Sequence, residues 1–513
     1  MAPIGALLTG DCRLSGENDM AGVKNKGVYD VIVVGNGALG LGLAYQLRKR
    51  DANLSIAVIG PSHRTGGATV AAGAMINVWA EMSAGQYDNP ALGERAELTV
   101  KAMALWDQHC TELSEFAEGP LEVKWGTYIL NNALGSPHEV RAVDYIIEAM
   151  RERGVPHEVL QPESVSWLKP EQKGRAMRAV RVPDGRIDPR LVLKAYERFC
   201  IARNIDLYDS TAEKLEVGLR LPFGSANKTV TLAQGTALKT KTVVLASGSF
   251  SQALVDQVPD LRREVPRLVW GAGSGLDISM PAWIHRYGGI DRSVFDIDAV
   301  VRTVDRGGAC GIHLVPYGNG EYYLGSSSGV WFEPEPKPRV HAIHVLLRSL
   351  VEEINYAFFF AMMSTRGPGF RPVAMDTFPL LGQSHMPGIW FANGTKRDGF
   401  TCSPYLCSEI AKEILGGNSD LPTRFQPSRK LISYKTSKQA IEDFVSADFG
   451  GEIQHGLNLP PYALEGYREM KRAKIEKIYE KRGIKEFGIH PELPHLYEND
   501  EFFAACNHKR EMD

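Results

Sequence analysis

Hydrophobic positions first gather at Tyr29–Gly40 (YDVIVVGNGALG), where Val31, Ile32, Val33 and Val34 form an apolar β-branched run. Such a run predicts a central parallel strand covered on both faces. Leu41 to Arg50 then reads as a helix and Ser55 to Ile59 as a second strand, a βαβ beginning. Further along, the pattern predicts a helix over Leu92–Phe116, a strand over Trp125–Leu130 and a short helix over Tyr145–Arg153. Pro183-Asp184-Gly185-Arg186 reads as a turn before a helix over Pro189–Arg203. Lys241–Ser249 is another buried strand ending in small residues, returning to the first sheet, and Ile389–Gly394 one more, followed by a helix over Ser408–Leu415. Ile312–Pro316 and Tyr322–Gly325 pair in a different, antiparallel sheet through the turn Gly318-Asn319-Gly320. The charged stretch Tyr467–Arg482 predicts a helix carrying Tyr467, Met470, Ile475, Ile478 and Tyr479. Its plain use is one stripe packed on the body; a dimer contact or a lid are the others.

The first strand runs into Gly35-x-Gly37-x-x-Gly40. Gly35 permits a tight turn, Gly37 lets backbone approach a pyrophosphate, and Gly40 lets the helix pack closely. With Ala38 and Leu39, the helix start would aim N–H groups and a positive dipole end at phosphate. A strand before the glycines and a helix after them is the context that makes the string informative, so a dinucleotide is expected. After the second strand, where an acid would bind ribose hydroxyls, the chain reads Gly60-Pro61-Ser62-His63-Arg64. Two readings follow: Ser62 or backbone serves the ribose, or Arg64 meets a 2′-phosphate and the nucleotide is NADP. The small-residue stretch Gly66–Met75 suits a flat, bulky ring system lying against backbone.

Composition narrows the classes. The 513 residues are 44% apolar and 23% charged, enough for two or three domains with ordinary cores. A net charge of −3 gives no bulk case for nucleic acid or an anionic membrane. Seven scattered cysteines, an odd number, fit free thiols in a reducing compartment. Cys402 and Cys407 lack nearby histidines at metal-ligand spacing, so no metal is expected. No apolar run approaches the ~20 residues of a membrane span, and residues 1–28 read as a polar leader without signal-peptide features. The expected location is cytoplasmic.

Five patches, in order, then carry a resemblance: VIVVGNGALG; TVAAGAM; DGRIDPRLVLKAY; TVVLASGSFS; and GFRPVAMDTFPLLG followed by FANGTKRDGFTCSP. Together they resemble the D-amino-acid oxidase superfamily of FAD-dependent oxidoreductases, most closely glycine oxidase-like amine oxidases, from about Tyr29 to Gly417. The resemblance implies an α/β fold (α+β overall). A Rossmann-like FAD-binding domain would be built from 29–95, 185–262 and 366–425. A mainly antiparallel substrate domain would take 96–184 and 263–365, and 426–513 would form a C-terminal helical extension, a possible homo-oligomer contact. It makes the nucleotide FAD, held non-covalently, and decides against NADP at Arg64. Thr69, Ala71, Ala72, Gly73 and Met75 match the patch beneath the isoalloxazine and pyrophosphate. Thr211 to Glu213 match the strand whose backbone meets adenine, and Ser247-Gly248 lie in the fourth patch. Gly394, Lys396, Arg397, Asp398, Gly399, Phe400 and Thr401 match the loop closing over the flavin pyrimidine edge.

By the same resemblance, Arg371 matches the arginine that grips a substrate carboxylate, a role suited to a planar guanidinium with two parallel bonds; bracing a loop is the alternative. Arg397 matches a second arginine of those enzymes, with a surface charge or a partner to the flavin's polar edge as alternatives. His313 falls where relatives carry an aromatic hydroxyl, and Lys396 could touch substrate or favour reaction with O₂. The reaction implied is removal of hydride from the carbon beside an amine nitrogen, with O₂ reoxidising the flavin to give H₂O₂. The substrate would be a small amine or amino acid. The alternatives are an FAD-dependent dehydrogenase of a hydroxy acid or polyol phosphate with a non-O₂ acceptor, and an assembly protein keeping FAD structurally.

Overall fold

A computed structural model describes residues 28–506 other than 136, 219–226, 282, 285–294, 305–310, 326–328, 455–456 and 458; the leader read over 1–28 therefore lies outside the described residues except for Val28. Tyr29–Val34 forms the middle of an eight-stranded sheet, flanked in parallel by Ile56–Ile59 and Ala237–Leu245. Asp206–Tyr208 continues that sheet on one side and Ile389–Asn393 on the other, both parallel. Leu380–Gln383 closes the edge antiparallel to Ile389–Asn393. The central strand is buried on both faces, as its continuous apolar run requires. On one face the helices Ala38–Arg50, Pro189–Ala202 and Gly399–Ile414 share a core with Leu41, Tyr196 and Ile410.

The second sheet has ten strands and is mostly antiparallel. Its long pair is Leu268–Ser279 with Met362–Ala374, and Lys124–Asn132 pairs with Ala176–Arg186. His313–Gly318 and Glu321–Gly325 form the expected hairpin, with Asn319 (φ 55°) and Gly320 (φ 76°) in the left-handed turn conformation that hairpin twist favours. The C-terminal segment is packed on this sheet. Val269, Val330, Val373 and Met375 share one core cluster with Leu431, Ile475, Ile478, Tyr479, Phe487 and Tyr497. The helix Leu464–Arg482 thus spends its stripe, Lys471, Ile475, Ile478 and Tyr479, inward, while Met470 stays exposed. Among the described residues, no helix is long and apolar enough to cross a membrane.

Four expected elements differ. The helix over Leu92–Phe116 is two, Pro90–Met103 and Trp106–Leu113. The break swings Trp106 into the core, where its Nε1 donates to the Thr401 carbonyl at 2.9 Å. The helix expected at Tyr145 begins at Pro137, because its buried stripe already includes Ala142 and Val143. The helix expected at Ser408 begins at Gly399; Pro404 lacks an N–H for the Phe400 carbonyl, and the Ser403 hydroxyl donates there instead at 2.8 Å. Pro183–Arg186 is no turn but the end of the strand Ala176–Arg186. There the fully buried Asp184 carboxylate accepts the N–H groups of Val78, Trp79 and Ala80 at 2.8–3.1 Å.

Candidate active site

The strands Tyr29–Val34, Ala237–Leu245 and Ile389–Asn393 run the same way, so their C-terminal ends make one crevice, where an open parallel sheet binds ligands. Its floor is backbone. A Cβ on Gly35 (φ 121°) would lie 2.4 Å from the Ala246 carbonyl carbon, and one on Gly40 would lie 1.8 Å from the Gly35 oxygen. Ser247 and Gly248 line the turn beside Gly35, with the Ser247 and Ser251 hydroxyls 2.7 Å apart and the Asn393 amide donating to the Gly248 carbonyl. Ala38 donates its N–H to the Thr69 hydroxyl at 3.2 Å, which ties the helix start, with Leu39 beside it, to the small-residue patch. These bare backbone surfaces are a cradle that side chains would fill, and they fit a dinucleotide.

Past the second strand, Arg64 is occupied: its Nε donates to the Asn36 carbonyl at 3.0 Å and its Nη2 pairs with Glu197. An acid does stand beside this turn, just past the end of the neighbouring strand Asp206–Tyr208. Asp209 accepts from the Ser62 N–H at 2.7 Å and from its hydroxyl at 2.8 Å. Glu213 sits farther out, exposed, at the bulge between Ala212 and Lys214, its carbonyl accepting from the Gln257 amide at 2.8 Å.

The patch Thr69–Met75 faces the second sheet. Ala71 lies against Gly369, where an added Cβ would come within 2.4 Å, and Phe370 donates its N–H to Gly66. Gly73 lies under Tyr323: a Cβ built there would meet the Tyr323 ring at 2.5 Å and the His313 Nε2 at 3.3 Å. Ala72 ends the short helix before it, and the Met75 carbonyl lies 3.5 Å from the Thr401 hydroxyl.

The expected catalytic residues converge. Lys396 (φ 53°) donates its N–H to the Pro372 carbonyl at 2.9 Å, and Thr395 bridges to Val373, so the loop carrying Lys396 and Arg397 is stitched to the strand carrying Arg371. His313 is buried on the adjacent hairpin, stacked on Tyr323 with ring centroids 5.8 Å apart. Burial, helped by the Arg302 charge, pushes its imidazole down to about 3, so it is neutral at pH 7. Gly394 (φ 67°) turns the chain into the loop; Gly399 and Phe400 start the following helix, Phe400 against Trp106. Asp398 is held by Arg95, with Nε at 2.9 Å and Nη2 at 2.7 Å.

Three residues that carry no motif complete the cluster. Glu81, presented by the turn that Asp184 holds, pairs with the wholly buried Arg302 at 2.6 Å. Burial would raise Glu81, but the Arg302 and Arg397 guanidiniums outweigh it and hold the carboxyl at about 2. Glu492 pairs with Lys396 Nζ at 2.8 Å and with Arg397 Nη2 at 2.6 Å. Only Arg302 left a trace in the sequence, as a lone charge inside the apolar run Ala299–Val304. Among the described residues, no group of three or more His, Cys, Asp or Glu could hold a metal ion.

Known proteins share this fold. Residues 30–413 match the family described as DAO, FAD dependent oxidoreductase. The fold is similar to that of glycine oxidase from Geobacillus kaustophilus, with TM-score 0.64 at 19% identity, over 79% of this chain and 99% of that one. It is similar to iminodiacetate oxidase from Chelativorans sp. BNC1, with TM-score 0.60 at 19% identity, over 77% and 98%. It is also similar to L-proline dehydrogenase from P. horikoshii, with TM-score 0.61 at 20% identity, over 78% and 97%. No curated protein matches the chain in sequence. With the glycine cradle and the crevice in place, the match over residues 30–413 is decisive: the chain belongs to the DAO family of FAD-dependent oxidoreductases.

Proposed function

We propose that the protein oxidises a small amine or amino acid, with FAD held non-covalently in the crevice above Gly35, Gly37 and Gly40. The observation that carries this reading is that the loop carrying Lys396 and Arg397 is bonded to the strand carrying Arg371, which packs on the small-residue patch beside His313. FAD, when bound, supplies the hydride acceptor and passes the electrons on to O₂.

The chain's own groups set position and charge. Arg371 holds the substrate carboxylate, fixing which C–H faces the ring. His313, neutral, has Nδ1 3.3 Å from the Gly311 carbonyl; if Nδ1 carries the hydrogen, Nε2 beside Gly73 accepts one from the substrate amine. No dedicated base is assigned, because the amine need only arrive unprotonated, and the rate rises with pH through the substrate's own ionisation. Lys396 and Arg397 bring positive charge to the loop that closes the site.

Anaerobic mixing with a panel of amines and amino acids should bleach the yellow protein with at least one of them, and air should then release H₂O₂. A flavin that stays oxidised with every amine but is reduced by a hydroxy acid, or that passes electrons only to dyes, would replace this reading with a dehydrogenase. Arg371→Ala should raise KM for a carboxylated substrate by the equivalent of ~2–5 kcal/mol, with kcat less affected; an unchanged KM removes the clamp.

A further inference from the structure

The family match ends at residue 413, yet a carboxylate from far beyond it reaches the closing loop. Glu492 lies two residues after His490 in the C-terminal segment and is buried, its two oxygens divided between Lys396 Nζ and Arg397 Nη2. Successive residues on a loop rarely point two cations into one buried region, because the charges repel and each loses its hydration. One carboxylate spanning both relieves that repulsion and fixes both side chains. Lys396 also holds a left-handed backbone conformation that costs a non-glycine residue about 1 kcal/mol and persists only where surroundings enforce it. The segment that carries Glu492 cannot drift: Ile489 and Leu493, on either side, belong to the core shared with Val269, Val330 and Val373. Glu492 further lines a cleft of about 400 Å³ with Ser274, Arg366, Pro368 and His495, between the second sheet and the C-terminal segment.

We propose that Glu492 is a positioning residue of the flavin site, and that the C-terminal segment is thereby a built-in part of that site and not an appendage. This rests on the FAD reading above. Glu492 clamps Lys396 and Arg397 in the closing loop, so loop geometry and cofactor retention depend on a residue that the two-domain core does not contain. The clamp also governs charge. Lys396 is pushed down first by burial, and Arg397 and Arg95 push the same way, while Glu492 opposes them. His490, which also faces Lys396, is itself held neutral by burial. Without the carboxylate, Lys396 would lose its proton at a lower pH.

Removing the segment would strip the sheet of its core, so the test is a point change, Glu492→Gln, with Glu492→Asp and the double variant Lys396→Met/Glu492→Gln. FAD affinity of each apoprotein, visible circular dichroism of the bound flavin between pH 6 and 9, and Tm are measured. Glu492→Gln should weaken FAD binding at least about tenfold, as loss of one partner from a buried ion pair implies. It should also move any pH-dependent change of the flavin signal to lower pH, and Glu492→Asp should recover part of both. The double variant, which leaves no unpaired lysine charge, should fold if the single one does not, and should still bind FAD poorly. A folded Glu492→Gln protein with the parent's FAD affinity and flavin signal, or a double variant that binds FAD like the parent, would overturn the proposal. A parent protein that takes up no FAD would instead remove the functional reading beneath it.

Discussion

Gly40 shows how tightly single residues are specified here. A methyl group at this position would stand 1.8 Å from the Gly35 carbonyl oxygen, a backbone atom with nowhere to go. Gly40→Ala should therefore lower the apoprotein's stability by ~1–3 kcal/mol, the usual range for overpacking, and loosen FAD further by lifting the helix off its strand. Equal FAD retention and equal Tm would show that the helix start tolerates displacement. Residues of this kind were legible because backbone geometry demands a particular amino acid in a fixed local order. Arg371, Lys396 and Arg397 became candidates for a different reason, namely the family patches around them, and His313 only through its matched place between patches. Glu81, Arg302 and Glu492 lie hundreds of residues apart, and nothing local to any of them encodes a partner. A buried ion pair is a property of the folded chain. Asp184 was misread for the same reason: Pro-Asp-Gly is turn chemistry by composition, but the acid's receptors are N–H groups of a turn at Val78–Ala80.

Elements were legible where one periodicity ran without interruption. The first strand and the hairpin at Asn319-Gly320 needed only burial on both faces or a turn that matches strand twist. Boundaries slipped where tertiary contacts intervened, as at Trp106, which breaks a helix to reach the Thr401 carbonyl. The helix Leu464–Arg482 illustrates what pattern alone leaves open, since a short apolar stripe on a charged helix suits a partner, a lid or the body equally well. Its stripe lies in the core with Val269 and Val373. Ile478→Ala should thus destabilise the whole protein by ~2–5 kcal/mol, as for other large-to-small core changes. The variant should unfold in one transition with the flavin domain and lose FAD at the same denaturant concentration. A separate early transition, with flavin retained, would mean the segment folds as its own unit.

At the scale of the molecule, several buried groups must keep one charge state for two sheets and a C-terminal segment to stay together. His313 is held at about 3 and His109 at about 4, each chiefly by burial, and burial also lowers His490 and His495. A base whose pKa is lower in the folded chain takes up its proton on unfolding. The stability it contributes is complete above its ordinary value of 6.5 and is lost as pH falls toward the folded value. Glu81, held at about 2 against an ordinary 4.5, acts in the same direction over a lower window. These terms add, offset in part by Asp184, which burial raises to about 6 and which acts the opposite way between there and 3.8: the histidine terms should lower stability from about pH 6.5 downward, with Glu81 joining below 4.5. His313 alone would contribute about 5 kcal/mol across that range. Urea midpoints at pH 7, 6 and 5 would measure the slope, and His313→Asn, which cannot titrate, should flatten part of it. A midpoint unchanged between pH 7 and 5, or a variant slope identical to the parent's, would mean that water reaches these histidines and that the site is not the dry enclosure its packing implies.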